Sequence, residues 1–369
     1  MSLRFIMIKV AALTDNQTQS SSRFRVRQHI ELLRQLGVYV TDYYSLISGY
    51  ELTPSWTPKS LPSNYEKPVR YFWQGAKLAN RIPGIIGSYQ SDITWLLRGL
   101  LPHHFTFEPL LKHPLVFDVD DAIWLINHSR YSSDSSIGIR TAKSIMMIAK
   151  QADIVIAGNN YLAQWFEQCN SNIKVIPTAV DTQRYHPKNL LSKKLKPFTI
   201  GWIGSDIRDL LSAEMWIKRF MLDFVDSELL IIAGQIPLLN NLPSDRVKYI
   251  PWSPEVEVEA IQQMDVGLMP LENSEFSKGK CSFKMLQYMA CGIPVIVSSV
   301  GMNLEILALG EVGIGVKEQE TDWYDALVML YQNRELGDKY GIEGRKIVEQ
   351  HFSQTVIVEK LAIVFRELV

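Results

Sequence analysis

Residues 278–301, KGKCSFKMLQYMACGIPVIVSSVG, read in order as a basic loop, a helix, a tight turn, a strand and a second turn. Lys278, Gly279 and Lys280 are expected to form a flexible, doubly basic loop. Ser282 is the expected N-cap of the helix, because its hydroxyl can accept from amides one turn in. Phe283, Leu286, Tyr288, Met289 and Ala290 supply a broad apolar face. Gly292 and Pro294 stop the helix, and Val295-Ile296-Val297 is a short apolar strand of the buried parallel kind. A basic, glycine-containing loop that feeds a helix start is a sensible place for a phosphate. The competing reading is an ordinary βαβ unit whose lysines face water.

The same alternation runs outward in both directions. Upstream, Phe5–Leu13 reads as a strand, Arg23–Leu36 as a helix closed by Gly37, and Val38–Tyr44 as a strand. Residues 46–68 look irregular. Strands follow at 92–98, 114–118, 153–157 and 173–176. Residues 182–197, TQRYHPKNLLSKKLKP, are polar, basic and broken by prolines, which makes them the expected linker. The pattern then restarts with strands at 198–203, 228–233, 247–250 and 266–269, a helix at 254–264, the opening stretch, a turn at 312–315 and helices from Thr321 onward. Strands alternating with helices imply parallel, doubly wound sheets. The expected organisation is an N-terminal Rossmann-like domain at 1–181, the linker at 182–197 and a second such domain at 198–352. Open α/β sheets bind ligands at the carboxyl ends of their strands, so two of them face to face would make one cleft.

Composition narrows the class. A chain of 369 residues suits two domains. The apolar share of 47% with 21% charged residues is that of a globular protein. A net charge of −1 gives no global attraction to nucleic acid or to anionic lipid. Cys169, Cys281 and Cys291 share no metal or redox spacing, which suits unpaired thiols in a reducing cytoplasm. The start, MSLRFIMIKVAAL, is interrupted by Arg4 and Lys9 and reads as a buried strand, with no signal peptide. No apolar run is long enough to span a membrane. Peripheral association with the inner face of a membrane stays open.

Four stretches fall at predicted strand ends. In the first, Arg23 and Arg27 share a helix face near its start, where cations oppose the macrodipole unless an anion is recruited. Solvated arginines are the alternative. In the second, Asp118, Asp120 and Asp121 crowd three carboxylates that would repel without water, a cation, hydroxyls or basic groups. A divalent metal, sugar hydroxyls or capping of a following helix would each account for them, and capping with ligand recognition ranks above metal. The third is Gly201-Trp202-Ile203-Gly204-Ser205, a strand running into a Gly-Ser turn whose amides can approach a phosphate. It matches neither the dinucleotide fingerprint nor a P-loop. The fourth is the opening stretch. No GxSxG turn is present, and the histidines, His128 just past the acidic cluster included, show no metal spacing.

Taken together, these residues resemble the retaining glycosyltransferases of family 4, which have the GT-B fold. The resemblance covers essentially the whole chain. It rests on the run from Ala152 to Pro187 with VIPTAVDTQRYHP (175–187), GWIGS (201–205), MDVGLMPL (264–271) and KGKCSFKMLQYMACGIPVIVSSVGMNLEIL (278–307), the last being the most specific. The acidic FDVDDAIW (117–124) and SSRFRVRQ (21–28) look like a subgroup that builds bacterial surface polysaccharides. The resemblance implies a C-terminal helix, 353–369, that crosses back to the N-terminal domain.

It also implies a donor site on the second domain, made by Gly204, Ser205, Arg208, Trp252, Lys280, Cys281, Ser282, Phe283, Lys284 and Gln287. The family usually places glutamates where Gly279 and Gln287 stand, so glutamine is left to bind the ribose and lysines to neutralise a diphosphate. The family arginine falls near Ser205, with Arg208 close behind, and the base is expected beside Pro251-Trp252. Asp120, Asp121 and Arg23 would serve the acceptor side, and Lys284 the leaving group. The implied donor is a UDP-sugar, with glucose the best guess, the acceptor a saccharide or lipid-linked saccharide, and neither metal nor cofactor is expected. A non-catalytic nucleotide-sugar-binding subunit and a GT-B epimerase or phosphorylase are the alternatives.

Overall fold

The structure is a computed structural model that describes residues 7–51, 53–54, 57, 63–125, 135–188, 197–239, 241–317 and 320–369. His128 and residues 189–196 of the expected linker lie outside the described residues. The chain divides into two compact units, Met1–Thr178 with Ile357–Val369, and Ala179–Val356.

Unit 1 holds six parallel strands: β1 (Ile8–Thr14), β2 (Val38–Tyr44), β3 (Ile93–Leu97), β4 (Leu115–Val119), β5 (Ile154–Ala157) and β6 (Ile173–Val175), in the order β2-β1-β3-β4-β5-β6. Helices cover the sheet, so β3, β4 and β5 are buried at every position and are apolar almost throughout. The order reverses between β1 and β3. Asp15 and Arg98, each just past a strand end, therefore open onto the crevice where such sheets take ligands. The helix expected over 23–36 is instead broken: Ser20–Arg25, a 3₁₀ turn Arg27–His29, and Ile30–Gln35. Val26, with φ −123°, makes the break. Arg23 and Arg27 consequently do not share one helix face. The C-terminal helix, Gln354–Glu367, contributes from Ile357 onward to unit 1. Its Phe365 ring packs edge-on against Trp95, 5.3 Å between centroids.

Unit 2 repeats the plan with β7 (Phe198–Ile203), β8 (Ser227–Ala233), β9 (Val247–Pro251), β10 (Val266–Met269), β11 (Val295–Ser298) and β12 (Gly313–Val316). The order is β12-β11-β10-β7-β8-β9, again all parallel. Residues 312–315, expected to turn, form most of β12, because pairing to β11 satisfies a backbone whose Gly and Val residues give little local signal. The helix expected over 254–264 is confined to Glu257–Ile261. Residues 182–188, expected to begin a linker, pack within unit 2: Tyr185 is buried, and Arg345 donates to the carbonyls of Thr182 and Tyr185.

The switch point of unit 2 lies between β7 and β10, and the opening helix, Phe283–Ala290, is fixed over it by Tyr288. The Tyr288 hydroxyl accepts from the Ile203 amide at 2.9 Å and donates to the Leu268 carbonyl at 3.2 Å. The ring fits because residue 267 is glycine; a Cβ there would come within 2.4 Å of it.

Candidate active site

In unit 2 the ends of β7 and β10 bring three charged side chains together. Lys280 and Lys284 both donate to Oδ2 of Asp209, at 3.3 and 3.5 Å. Asp209 sits in the first turn of the Ile207–Asp223 helix. Two cations share one carboxylate at the start of the Phe283–Ala290 helix, where the backbone dipole adds further positive potential. The excess of positive charge favours an anion. Lys284 also lies over the Trp202 ring, and burial lowers its pKa to about 8, with Asp209 opposing the shift and Lys280 adding to it.

Local chemistry at this helix differs from the expectation in three ways. Ser282 does not cap it. The residue sits at φ 50°, in the left-handed region, and its hydroxyl donates to Asn303 Oδ1 at 2.7 Å. Lys278 and Gly279 do not form a loop, because Glu275–Lys278 is a short helix capped by the Ser274 side chain, with Gly279 ending it. Lys278 pairs locally with Glu275, whereas Lys280 pairs with Asp209. Gly204 offers no free amide, since it donates to the Ile232 carbonyl at 3.0 Å. Its missing side chain serves a different purpose: a Cβ would lie 2.7 Å from Lys284 Nζ and 2.7 Å from the Trp202 ring.

Arg208 is exposed and turned onto Asp206 beside it, and Ser205 is exposed. Cys281 is buried and Phe283 half-buried. Gln287 is buried one turn beyond Lys284, with its amide on Glu257 and on Tyr185. Trp252 is 41% exposed, and its Nε1 donates to Glu257 at 2.9 Å.

In unit 1 the acidic cluster is resolved by arginines. Asp118 is buried and accepts from Arg25 Nε and Nη2, at 3.0 and 2.8 Å, and from Trp95 Nε1 at 3.1 Å. Burial still pushes its pKa up. Asp120 accepts from Arg98 Nε at 2.6 Å. Burial raises the Asp120 pKa, but the Arg98 guanidinium outweighs it and the net shift is downward. Asp121 stands 3.9 Å from Arg98 and accepts from the Ala122 amide; a turn follows it, where a capped helix was expected. Arg23 stacks on Phe24, and Arg27 pairs with Asp42.

Sequence reasoning passed over Arg25 and Arg98. A pocket at the switch point is lined by Asp15, Tyr50, Arg98, His103, Thr141 and Ile145, among others. Arg98 and His103 both have positive φ, 62° and 66°, and with Ser282 they are the described non-glycine residues that do. Such backbone persists where surrounding contacts enforce it, and it concentrates at ligand sites.

Comparison with known proteins agrees with this architecture. Residues 200–333 match the family model described as Glycosyl transferases group 1. No curated protein sequence matches the chain at a significant level. Among solved structures, sucrose-phosphate synthase from Thermosynechococcus elongatus superimposes with a TM-score of 0.70 at 15% identity, covering 98% of this chain and 99% of that one. HepE from Anabaena, in complex with UDP and glucose, gives 0.66 at 14%, covering 98% and 100%. WaaG, a glycosyltransferase involved in lipopolysaccharide biosynthesis, gives 0.64 at 13%, covering 97% and 99%.

The fold is GT-B.

Within this GT-B chain the matched segment begins inside β7 and ends just past the Glu320–Gln332 helix that follows β12, so it contains Asp209, Glu257, Lys280, Lys284 and Gln287. Lys280 was legible as part of a basic loop before a helix, and Lys284, inside the helix, came in with the family resemblance. Asp209 and Glu257 were not, since each reaches the site through the fold from a helix of its own. Among the described residues, no helix is long and apolar enough to cross a membrane.

Proposed function

We propose that the chain is a retaining glycosyltransferase that moves a hexose, glucose as the first choice, from a UDP-sugar to a saccharide or lipid-linked acceptor in surface-polysaccharide synthesis. The observation that carries this reading is the Lys280–Lys284 pair on Asp209, at the switch point of a Glycosyl transferases group 1 segment. A diphosphate arriving there would compete with Asp209 for both amines and gain two charge-assisted contacts. Neutralising the departing diphosphate stabilises the leaving group directly, which is where catalysis of this transfer gains most.

In the proposed step the bond from the anomeric carbon to the diphosphate oxygen breaks as the bond to the acceptor oxygen forms on the same face. The acceptor proton passes to the departing diphosphate oxygen, so the protein supplies no nucleophile and no metal is called for. The solved HepE structure with UDP and glucose supports the choice of donor class. Residues of the unit 1 pocket, with Asp120 and Asp121 beside it, are proposed for the acceptor. Arg23 is weaker in that role than Arg98, which lines the pocket itself.

A thermal-shift panel of UDP-, GDP- and ADP-sugars tests the reading. The true donor at hundredfold excess over its dissociation constant should add about 2.7 kcal/mol of stability. Replacing Lys280 or Lys284 by Ala should then weaken UDP by about 1.5–3 kcal/mol. No shift from any nucleotide-sugar, or unchanged affinity in both variants, would remove the assignment.

A further inference from the structure

The buried amide of Gln287 is fixed by a network that leaves it one way round. Its Nε2 donates to Glu257 Oε1 at 3.0 Å and to the Tyr185 hydroxyl at 2.9 Å, which uses both amide hydrogens. Tyr185 in turn donates to Glu257 Oε2. The carboxylate also accepts from Trp252 Nε1 at 2.9 Å and from Arg184 Nη2 at 3.2 Å. Glu257 and Gln287 are each 3% exposed. Burial, with the Glu257 carboxylate beside it, pushes the Tyr185 hydroxyl up, so it keeps its proton and remains a donor to Glu257.

Turning the amide over would aim its carbonyl oxygen at a carboxylate and at a hydroxyl whose proton is already given away. Both contacts would be acceptor against acceptor inside a dry cluster, where unmet polar groups are costly. The amide therefore has only its carbonyl oxygen left to offer a further partner. Lys284 stands three positions earlier on the same helix, and residues so spaced share a face. A hydroxyl-bearing group adjoining a diphosphate would meet that oxygen.

We propose that Glu257 is a positioning residue that holds Gln287 as a pure acceptor for the ribose hydroxyls of the donor. The inference rests on the donor-site reading above and extends it. Under it, Gln287 does what a carboxylate would do for a diol, without adding a second negative charge next to Glu257 or near the diphosphate. The carboxylate that this helix lacks is supplied from the Glu257–Ile261 helix as a support, behind the residue that touches ligand.

The test measures binding of UDP, GDP and ADP, and of their 2′,3′-dideoxy forms, to the full chain. Wild type should prefer the best ribonucleotide over its dideoxy form by about five- to tenfold, the size of one or two uncharged hydrogen bonds. In Glu257→Gln the new side chain can donate or accept, the amide of Gln287 is free to turn, and the preference should fall to within about twofold. The swap Glu257→Gln with Gln287→Glu should restore it, because the carboxylate on the helix now accepts from both the new amide and the ligand. Melting temperatures of all three proteins report whether folding is intact. A wild-type preference retained in Glu257→Gln overturns the inference, as does a folded swap variant no better than the single one. If wild type binds no nucleotide, the donor reading itself fails, and the inference with it.

Discussion

The Nζ of Lys284 lies over the face of Trp202, 4.7 Å from the ring centroid. An amine in that position is stripped of water on one side and faces Asp209, which it shares with Lys280, on the other. The consequence is a lysine that titrates near pH 8, where an exposed one would titrate near 10.5.

Donor affinity should therefore fall as pH rises through about 8. The bound diphosphate prefers the charged amine, so binding takes up a proton above that pH and weakens by up to about tenfold per pH unit. Stability should move the other way. The folded pKa is lower than the unfolded one, so between pH 8 and 10.5 the folded form binds fewer protons, and this group's contribution to stability rises with pH. UDP titrations at pH 7 and 9.5 on wild type and Lys284→Met check it; the variant should lose the pH dependence, and a dependence that survives points to another group.

Gly204→Ala should disturb the lysine without touching it chemically. The added methyl would meet both Lys284 Nζ and the buried Trp202 ring at 2.7 Å, and the ring has no room to yield. Overpacking of this kind costs about 1–3 kcal/mol. Calorimetry should record that loss together with weaker UDP binding. Unchanged UDP affinity would mean that the amine does not need its place over the indole.

The Arg25–Asp118 pair is the buried strut of unit 1, its side chains 3% and 0% exposed. Removing one partner strands a charge, so Arg25→Met should cost about 3–5 kcal/mol. Arg25→Met combined with Asp118→Leu should recover most of it, since apolar replacements of similar volume are tolerated there. Denaturant titration of the two variants separates stranded charge from lost packing.

Asp120→Asn should lower turnover and leave UDP affinity unchanged. Arg98 would lose its closest counter-charge, 2.6 Å away, beside the unit 1 pocket. Its backbone, already at φ 62°, would lose the contact that helps hold it. A steady-state comparison should show the change in kcat or in acceptor KM. Weakened UDP binding would instead move Asp120 to the donor.

Much of this was legible along the chain. Apolar runs such as VFDV and PVIVSS locate β4 and β11, because strands buried on both faces have few polar positions. The basic loop before a helix pointed to the stretch where Lys280 meets Asp209. The break at Val26 was not legible, because Arg23–Leu36 carries helical spacing and Arg25, next to the break, is tied to Asp118, 93 positions away. Ser282 misled for a similar reason: a serine before a helix is the usual cap, and here its hydroxyl is claimed by Asn303.

By itself the sequence determined the doubly wound plan, where most of the strands end, and the basic character of the stretch before the Phe283–Ala290 helix. These follow from periodicity and from residue type, which are local. Tertiary structure alone decided the partners. Asp209 lies 75 positions from Lys284 and Glu257 lies 30 from Gln287. Neither pairing leaves a local trace, because what joins them is the order in which the strands were laid side by side. The same order decided that the amide of Gln287 donates to a carboxylate from a different helix.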